Sequence, residues 1–345
     1  MKGRSIILDR LNGQDAAALM LDGRLDDLLV DSAAPRPGAI YRAIADKPVK
    51  GQGGMFLRTP DGSAFLRQVR GVSPGQPLLV QITGHAEPGK ALPVTQKLLF
   101  KSRYAIVTPG APGLNISRAI RDDDLRDTLL EIAHEAGMPD GMGLILRSSA
   151  TGADADDIAA DITDMLTLAQ AVLSDAEGRE PEKLTEGDSP HVLAWREWTD
   201  PAEVVKEPGA FETHGVLDQI ETLASSRASL PGGGFAFIEA TRALVAVDIN
   251  TGPDTSPAAG LKANLALARD LPRQLRLRGL GGQITLDPAP MSRKNRQQFE
   301  TALRTAFRAD KTETALAGWT PLGHFELQRK RDRPPLPATG SEADT

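Results

Sequence analysis

The sequence predicts a mixed α/β protein of several small domains, one of which is a β-barrel. Its 345 residues correspond to two or three domains at about 150 residues each. Strand and helix patterns alternate over the last third of the chain, which is typical of an α/β layer with parallel strands. About five short strand patterns without a helix pattern occupy residues 39–99, which indicates a small barrel.

The composition excludes several classes of protein. There is no cysteine, which excludes disulfides, cysteine-ligated zinc, iron–sulfur clusters and a thiol nucleophile. No apolar run reaches the roughly 18 residues of a membrane helix, and the apolar stretch at 6–8 is too short for a signal peptide. We therefore expect a cytoplasmic protein with no membrane segment. The net charge of −6 argues mildly against a polyanionic partner, so a nucleic-acid partner has to be argued from local charge.

The first hundred residues are rich in strand patterns. Those at 5–8, 17–21 and 25–30 predict a meander or a ββα unit, and a Pro-rich joint follows at 35–38. The barrel strands are predicted at 40–44, 54–58, 64–69, 77–82 and 91–95.

The middle of the chain shows helical periodicity. Amphipathic helices are predicted over 122–136 and 155–174, with a strand at 143–147 between them. Residues 175–210 are polar, acidic and Pro-rich and are predicted to be mostly loop, and another helix is predicted at 215–227.

The last third has the clearest pattern. Strands are expected at 235–239, 243–249, 283–286 and 323–327, and helices at 257–278 and 293–308. Pro272 should kink or interrupt the first of these helices, because proline lacks a backbone N–H and crowds the preceding turn. The tail from Arg333 onward is rich in Pro, Gly and acids and is predicted to be disordered.

Two of the apolar strands each run into an aspartate, Asp248 and Asp287, with one crossover helix between them. If the strands are neighbours, both carboxylates lie at the edge where α/β sheets bind ligands. Oxygen ligands in a cysteine-free chain favour Mg²⁺ or Mn²⁺ over zinc. Asn250 would lie on the same face and could orient an aspartate or a substrate oxygen. Strand-end aspartates also commonly cap a following helix or turn, so both interpretations stay open here.

Basic residues concentrate around this edge, which suits a phosphodiester, although a solvated helix surface would give the same pattern. They are Arg269, Arg273, Arg276, Arg278, Arg293, Lys294, Arg296, Arg329, Lys330 and Arg331. Motifs for dinucleotide binding, the P-loop, zinc proteases and serine hydrolases are missing. Each histidine stands alone and is more typical of a structural or exposed residue than of a metal ligand: His85, His134, His191, His214 and His324.

Several segments resemble the ribonuclease E/G family, in the family's order. The most specific are ALVAVDINTG at 243–252 and RQLRLRGLGGQITLD at 273–287. Further matches are LPGGG at 230–234, GMGLILRS at 141–148 and FELQRKR at 325–331. The resemblance implies a Mg²⁺-dependent endoribonuclease of RNA processing or decay, which cleaves single-stranded RNA to 5′-phosphate and 3′-hydroxyl ends.

The resemblance also implies a modular architecture. An inert RNase H-like piece would use residues 1–35 and 180–229, and an OB-fold RNA-binding barrel residues 36–100. A 5′-sensor subdomain would follow at 101–179, then a DNase I-like catalytic subdomain at 230–333 and a disordered tail at 334–345.

The site residues carried over from the family fall in three places. Asp248 and Asp287 match the magnesium ligands, with Mn²⁺ as a substitute, and Asn250 matches their catalytic companion. Phe56 and Phe65 match aromatic residues that stack RNA bases, and Lys90 matches a basic RNA contact; by sequence alone both phenylalanines fit a barrel core. Arg147 and Ser148 match the 5′-monophosphate pocket, although Arg147 could equally pair with a carboxylate.

The sequence departs from the family in ways that leave an alternative open. The zinc-link cysteines and the C-terminal small domain of the long members are absent, so no zinc is expected, and a homo-oligomer would not be zinc-linked. Pro253-Asp254 and Pro288-Ala289-Pro290 differ from the family beside the proposed metal site. The alternative is a catalytically weakened RNA-binding or regulatory protein of the same family. A third option is a metal-dependent phosphodiesterase with another substrate.

Overall fold

The computed structural model describes residues 3–49, 53–69, 71–87 and 89–336, so the predicted tail lies outside the described residues from position 337. The predicted disorder is wrong for residues 333–336, since Arg333 pairs with Asp27 and the Leu336 N–H donates to the carbonyl oxygen of Arg278 at 3.2 Å. The chain divides into two compact units. One consists of Met1–Asp31 with Pro201–Thr345, and the other of Ser32–Asp200.

In chain order, the described strands are β1 (Arg4–Leu11), β2 (Gln14–Leu21), β3 (Arg24–Val30), β4 (Ile40–Val49), β5 (Gly54–Thr59), β6 (Gly62–Leu66), β7 (Pro77–Ile82), β8 (Leu92–Thr95), β9 (Phe100–Lys101), β10 (Ala105–Pro109), β11 (Gly113–Ile116), β12 (Met142–Leu146), β13 (Glu182–Thr185), β14 (Glu203–Val205), β15 (Arg227–Ser229), β16 (Phe235–Ala240), β17 (Val245–Asn250), β18 (Gly282–Asp287), β19 (Thr314–Trp319) and β20 (Phe325–Arg329). The described α-helices are α1 (Asp123–Glu135), α2 (Ala155–Ser174), α3 (Pro190–Glu197), α4 (Ala210–Thr213), α5 (Val216–Ala224), α6 (Ala259–Leu277) and α7 (Arg293–Ala309).

The N-terminal strands form a meander, as one of the two sequence interpretations predicts. Their sheet has the order β14-β1-β2-β3, with only β14 and β1 parallel. Its apolar face packs against α4 and α5 around Ile7, Met20, Phe211 and Ile220. Buried residues follow one another along β1 and β2, so these strands were predicted from short apolar runs and from the Asp22-Gly23 turn between β2 and β3.

The segment that returns to this sheet starts later than we predicted. We placed 180–229 with 1–35, but β13 pairs with β4 of the barrel. The buried guanidinium of Arg42 holds this segment there, because it donates to the carbonyl oxygens of Asp175 at 2.6 Å and Glu180 at 3.0 Å. Residues 175–210 are also less loop-like than predicted, since they contain β13, α3 and β14.

The five predicted barrel strands close into a barrel in the order β4-β5-β6-β8-β7, with β7 pairing back to β4. Buried side chains including Tyr41, Leu57 and Val80 fill its interior. The predicted fold class, a mixed α/β protein with a small barrel, is therefore confirmed.

A second sheet in this unit has the order β11-β12-β10-β9 and is covered by α1 and α2. Both helices lie close to their predicted positions. Asp122 accepts a hydrogen bond from the backbone N–H of Leu125 at 2.9 Å and so caps the start of α1. The short strands β9 to β11 were not predicted, because two to five residues are too few to show a period.

The last third forms a six-stranded sheet in the order β15-β16-β17-β18-β20-β19. Helices α6 and α7 cover one face through Leu267, Leu271, Phe299 and Leu303. Our expectation of parallel neighbours is wrong outside one pair, because only β17 and β18 are both parallel and hydrogen-bonded to each other. Helix α7 makes a second crossover, from β18 to β19, but β20 lies between these strands and is antiparallel to both. Pro272 does not interrupt α6, since its buried position lies within the packed helix face.

Candidate functional site

The parallel pair β17 and β18 brings the two predicted aspartates together. Asp248 and Asp287 are register partners at the carboxyl ends of these strands. The residues just before them, Val247 and Leu286, are buried against the helices, so strand alternation turns both aspartates to the opposite, open face of the sheet. The structure thus meets the condition on which the predicted site depended.

The contacts of these carboxylates are few. The side-chain amide of Asn250 donates to Asp248 Oδ2 at 2.9 Å. Asp287 keeps 66% of its side chain exposed, and His324 Nε2 lies 3.8 Å from its Oδ1. Among the described residues, no lysine or arginine forms an ion pair with either aspartate, and neither accepts a hydrogen bond from a backbone N–H. The alternative of a helix or turn cap is therefore not what the structure shows for these two residues.

The donor set fits a hard divalent cation. Two exposed carboxylates in register offer oxygen ligands, and the open face leaves room for the waters that Mg²⁺ retains. In the described part of the chain, no three histidine, aspartate or glutamate side chains cluster as a metal cage would require. The arrangement therefore suits an ion that takes two protein ligands and completes its shell with water or substrate oxygens.

His324 is a residue of this edge that sequence reasoning missed. It immediately precedes β20, whose first residue Phe325 pairs with Leu286. Its position beside Asp287 follows from that register. The available signal was its place at the start of a strand, but the antiparallel pairing of β18 with β20 could not be read from the sequence.

The loop that follows Asp287 is held by a buried asparagine of α6. Asn264 donates to the carbonyl oxygen of Ala289 at 2.9 Å and accepts from the Ala289 N–H at 2.9 Å. Gly260 allows the loop to approach, because a Cβ there would lie 2.1 Å from the carbonyl oxygen of Pro290. The segment Pro288-Ala289-Pro290, where the sequence differs from the family that it resembles, is therefore a loop held by hydrogen bonds to α6. Asn264 is a positioning residue that we did not predict.

The loop that follows β17 is also well defined. Gly252 has a φ of +62°, and a Cβ at this position would lie 2.2 Å from the carbonyl oxygen of Gly233. Asp254 accepts a hydrogen bond from the Ser256 N–H at 2.8 Å, which lowers the pKa of its carboxyl, and Lys262 Nζ lies 3.3 Å from its other oxygen. Asp254, one of the two residues at which this loop differs from the family that the sequence resembles, thus stabilises a turn.

Several of the basic residues have structural partners, so our prediction that they suit a phosphodiester is wrong for them. Arg273 binds Asp270 at 2.7 Å, and Arg329, only 1% exposed, binds the fully buried Asp310 at 2.6 Å. Arg276 also pairs with Asp310. Arg293 and Lys294, at the start of α7, are exposed.

The two barrel phenylalanines lie outside the barrel core. Phe56 and Phe65 are register partners on β5 and β6, and their ring centroids are 5.3 Å apart. Phe56 is 38% exposed. The Phe65 ring lies against the backbone of Gly54, where a Cβ would be only 2.4 Å from the ring. The core interpretation is therefore not observed. Lys90, in the loop before β8, is exposed and pairs with Glu87 at 2.6 Å.

Arg147 already has a carboxylate partner. It directly follows β12, and its guanidinium donates to Glu197 Oε2 at 2.7 Å and to the Ser102 carbonyl oxygen at 2.6 Å. Burial alone would raise the pKa of Glu197, but the guanidinium groups of Arg147 and Arg196 outweigh it and hold that pKa below its usual range. Ser148 is exposed beside this pair.

Fold and site together define a modular α/β protein with a closed five-stranded barrel and a carboxylate pair at a sheet edge. A family model for the ribonuclease E/G family matches residues 100–202 and 195–332. These matches cover more than half of the chain, which therefore belongs to the ribonuclease E/G family.

Individual relatives agree with this family. Ribonuclease G of Salmonella typhimurium (strain SL1344) is 28% identical over 305 residues, which cover 76% of this chain and 61% of the relative. Ribonuclease E of Nostoc sp. (strain PCC 7120) is 27% identical over 372 residues, with 91% of this chain and 54% of the relative covered. Ribonuclease E of Escherichia coli (strain K12) is 29% identical over 302 residues, with 76% and 28% covered. The chain thus matches about half to three fifths of the first two relatives. Within the described residues, no helix is both long and apolar enough to cross a membrane.

Proposed function

We propose that this protein is a divalent-metal-dependent endoribonuclease that cleaves single-stranded RNA in processing or decay, in the cytoplasm. The observation that carries the proposal is the register pairing of Asp248 with Asp287 on an open sheet face, with Asn250 bonded to the first. Membership of the ribonuclease E/G family supports RNA as the substrate.

Asp248 and Asp287 would hold one Mg²⁺, for which Mn²⁺ can substitute. When bound, the ion supplies Lewis-acid chemistry, which activates a water and offsets the charge that develops on the phosphate. Asn250 fixes the rotamer of Asp248 through its hydrogen bond to Oδ2. Asn264 restrains the loop after Asp287, which helps to keep that carboxylate in place while the RNA backbone binds. Water attacks the phosphorus atom, and the bond between phosphorus and the 3′-oxygen breaks. The 3′-oxygen leaves and takes up a proton, so the products carry 5′-phosphate and 3′-hydroxyl ends.

The barrel would hold the RNA through its bases. Phe56, with Phe65 packed beside it, offers a flat apolar surface on which an unpaired base of any identity can stack. Lys90 would contribute a phosphate contact in exchange for its exposed pair with Glu87. Arg147 and Ser148 would bind a 5′-monophosphate once Arg147 is released from Glu197.

Cleavage of a 5′-monophosphorylated, A/U-rich, single-stranded RNA tests this proposal. Wild type is compared with Asp287→Asn and with Glu300→Gln, which removes a partly exposed carboxylate on α7 that pairs with Arg304. We expect internal cuts in Mg²⁺ or Mn²⁺ by wild type and Glu300→Gln, and none in EDTA or by Asp287→Asn. Products with 5′-hydroxyl ends would contradict the proposed chemistry. RNA binding without cleavage in any metal would instead indicate the regulatory alternative.

A further inference from the structure

Strand β16 carries two phenylalanines on the same face as the carboxylates. Phe235 pairs in register with Asn250, and Phe237 with Asp248. Directly opposite residues of antiparallel strands point to the same side of a sheet, and Ala236 between them is buried on the other side. Both rings therefore lie on the open face, one strand away from Asp248.

These rings are not part of the core beneath the sheet. They are half-buried, and neither belongs to the apolar cluster that joins the sheet to α6 and α7. Their centroids are 5.5 Å apart in an edge-to-face arrangement. The Arg227 guanidinium, from β15, lies 4.4 Å from the Phe235 centroid. The chain has only 14 aromatic residues, so two on alternate positions of an open face call for a functional explanation.

We propose that Phe235, Phe237 and Arg227 form a base-stacking subsite for the unpaired nucleotide next to the scissile phosphate. The proposal rests on the proposed function, because that function places a phosphate at Asp248 and Asp287. Adjacent strands are about 4.8 Å apart, so a nucleotide whose phosphate lies over the carboxylates has its base within reach of β16. The subsite positions RNA and takes no part in bond cleavage.

An unpaired nucleobase is the occupant that these groups suit. Aromatic rings accept any base by stacking, and a guanidinium beside them adds cation–π and stacking contacts as well as attraction to the phosphate backbone. The apolar surface is continuous with the carboxylate edge along the register row that joins Arg227, Phe237, Asp248 and Asp287. Bases inside a duplex are already stacked on their neighbours and are not available to the rings, so the subsite favours unpaired RNA.

The experiment combines protein variants with RNA that lacks one base. Phe237→Leu and Phe235→Leu keep an apolar side chain, Phe237→Tyr and Phe235→Tyr keep the ring, and Leu217→Ala removes an exposed side chain of α5 as a control. Each protein cleaves the 5′-monophosphorylated, A/U-rich RNA and a series with a single abasic nucleotide at successive positions around the cut.

We expect the leucine variants to raise KM roughly tenfold with little change in kcat. The tyrosine variants keep the ring and should raise KM much less than the leucine variants do. Leu217→Ala lies outside the subsite and should match wild type. For wild type, an abasic nucleotide at one position of the RNA should also raise KM about tenfold. The leucine variants should lose nothing further at that position, because the stacking partner is already gone. Leucine variants that respond to the whole abasic series as wild type does would overturn the subsite.

Two further outcomes separate the explanations. If wild type does not cleave, the proposed function fails and the same RNAs are measured by equilibrium binding in EDTA. Tenfold weaker binding by the leucine variants, limited to RNAs that retain the base, then supports the subsite, and equal binding overturns it. If the leucine substitutions convert a dimer to a monomer in sedimentation while RNA kinetics stay unchanged, the face is an interface between copies, and the subsite is wrong.

Discussion

The carboxylate edge of the last sheet and the end of β12 treat their charged residues in opposite ways. Asp248 and Asp287 lie side by side without a lysine or arginine ion pair among the described residues, and Asp287 is largely exposed. Arg147 is instead bonded to Glu197 and to the carbonyl oxygen of Ser102, and only 19% of its side chain is exposed. In the sequence both places look alike, since each is a charged residue at the end of an apolar strand.

This difference shows which charges are available to a ligand. Two adjacent carboxylates without a counter-charge repel each other, and a bound cation removes that cost. A paired arginine has its charge compensated within the protein, so a phosphate has to displace Glu197 before it can bind Arg147. We therefore expect the carboxylate edge to determine activity and the Arg147–Glu197 pair to tune it.

The largest expected effect is the loss of cleavage in Asp248→Asn. The substitution removes one of two proposed metal ligands and keeps the shape of the side chain. The cleavage rate should fall about a hundredfold to a thousandfold or more, since removal of a single contact to the transition state typically lowers a rate by that factor. RNA binding should stay nearly unchanged, because the bases are held elsewhere. Single-turnover cleavage and fluorescence anisotropy measure the two quantities. Equal cleavage by the variant would remove Asp248 from the site.

A buried ion pair whose charges compensate each other should contribute to the free energy of unfolding. Asp27 and Arg333 form an ion pair in the unit that also holds the last sheet, and Arg333 donates to the carbonyl oxygen of Leu28 at 2.7 Å. Arg333→Ala leaves Asp27 buried without its main partner and should lower the free energy of unfolding by about 3–5 kcal/mol. Urea denaturation measures this. A change below about 1 kcal/mol would show that the pair is not structurally important.

The same pair predicts a response to acid. Burial alone would raise the pKa of Asp27, but Arg333 and then Arg276 outweigh it, so the pKa lies below its usual value. A lowered folded-state pKa gives stability that is present above the unfolded pKa near 4 and is lost as the pH falls through the folded value. Asp27→Asn should therefore show a weaker loss of stability than wild type between about pH 4 and pH 2. Parallel acid titrations of the two proteins would contradict this.

A smaller effect is expected at the arginine pair. Arg147→Ala should remove any preference for 5′-monophosphate over 5′-hydroxyl RNA, about tenfold for a charged hydrogen bond. Glu197→Gln should increase the preference severalfold, since it frees the guanidinium. Competition between the two RNAs in one reaction measures the preference directly. If it persists in Arg147→Ala, the phosphate binds elsewhere, and if Glu197→Gln leaves it unchanged, the pair does not compete with phosphate.

The smallest effect tests the repulsion itself. Asp248→Asn and Asp287→Asn should each raise the melting temperature slightly in EDTA, by roughly 1–2 °C, because each removes one of two like charges on neighbouring strands. Added salt should shrink the difference by screening. A lower melting temperature in either variant would mean that these carboxylates make stabilising contacts.

Local patterns in the sequence predicted much of this molecule. The barrel strands, α1, α2, α6 and α7 have periods or caps within one segment, and the meander has short apolar runs separated by a turn. The neighbourhood of Asp248 and Asp287 also followed, because a crossover helix joins two apolar strands and makes them parallel.

What could not be predicted depends on pairings between distant segments. Nothing near His324 indicates that β20 pairs with β18, and Asn264 lies 25 residues from the loop that it holds. Arg276 and Arg329 look like surface charge in the sequence, and only the fold shows that both reach Asp310. Likewise, β13 is too short to reveal which sheet it joins.

Direct measurement of metal binding tests the central claim most directly. Mn²⁺ is titrated into wild type and into Asp248→Asn/Asp287→Asn in the absence of RNA, with free Mn²⁺ followed by electron paramagnetic resonance. The account predicts that wild type binds one Mn²⁺ that the double variant does not, and that Mg²⁺ competes for it. Equal Mn²⁺ binding by the two proteins would contradict the assignment of these carboxylates as the metal ligands.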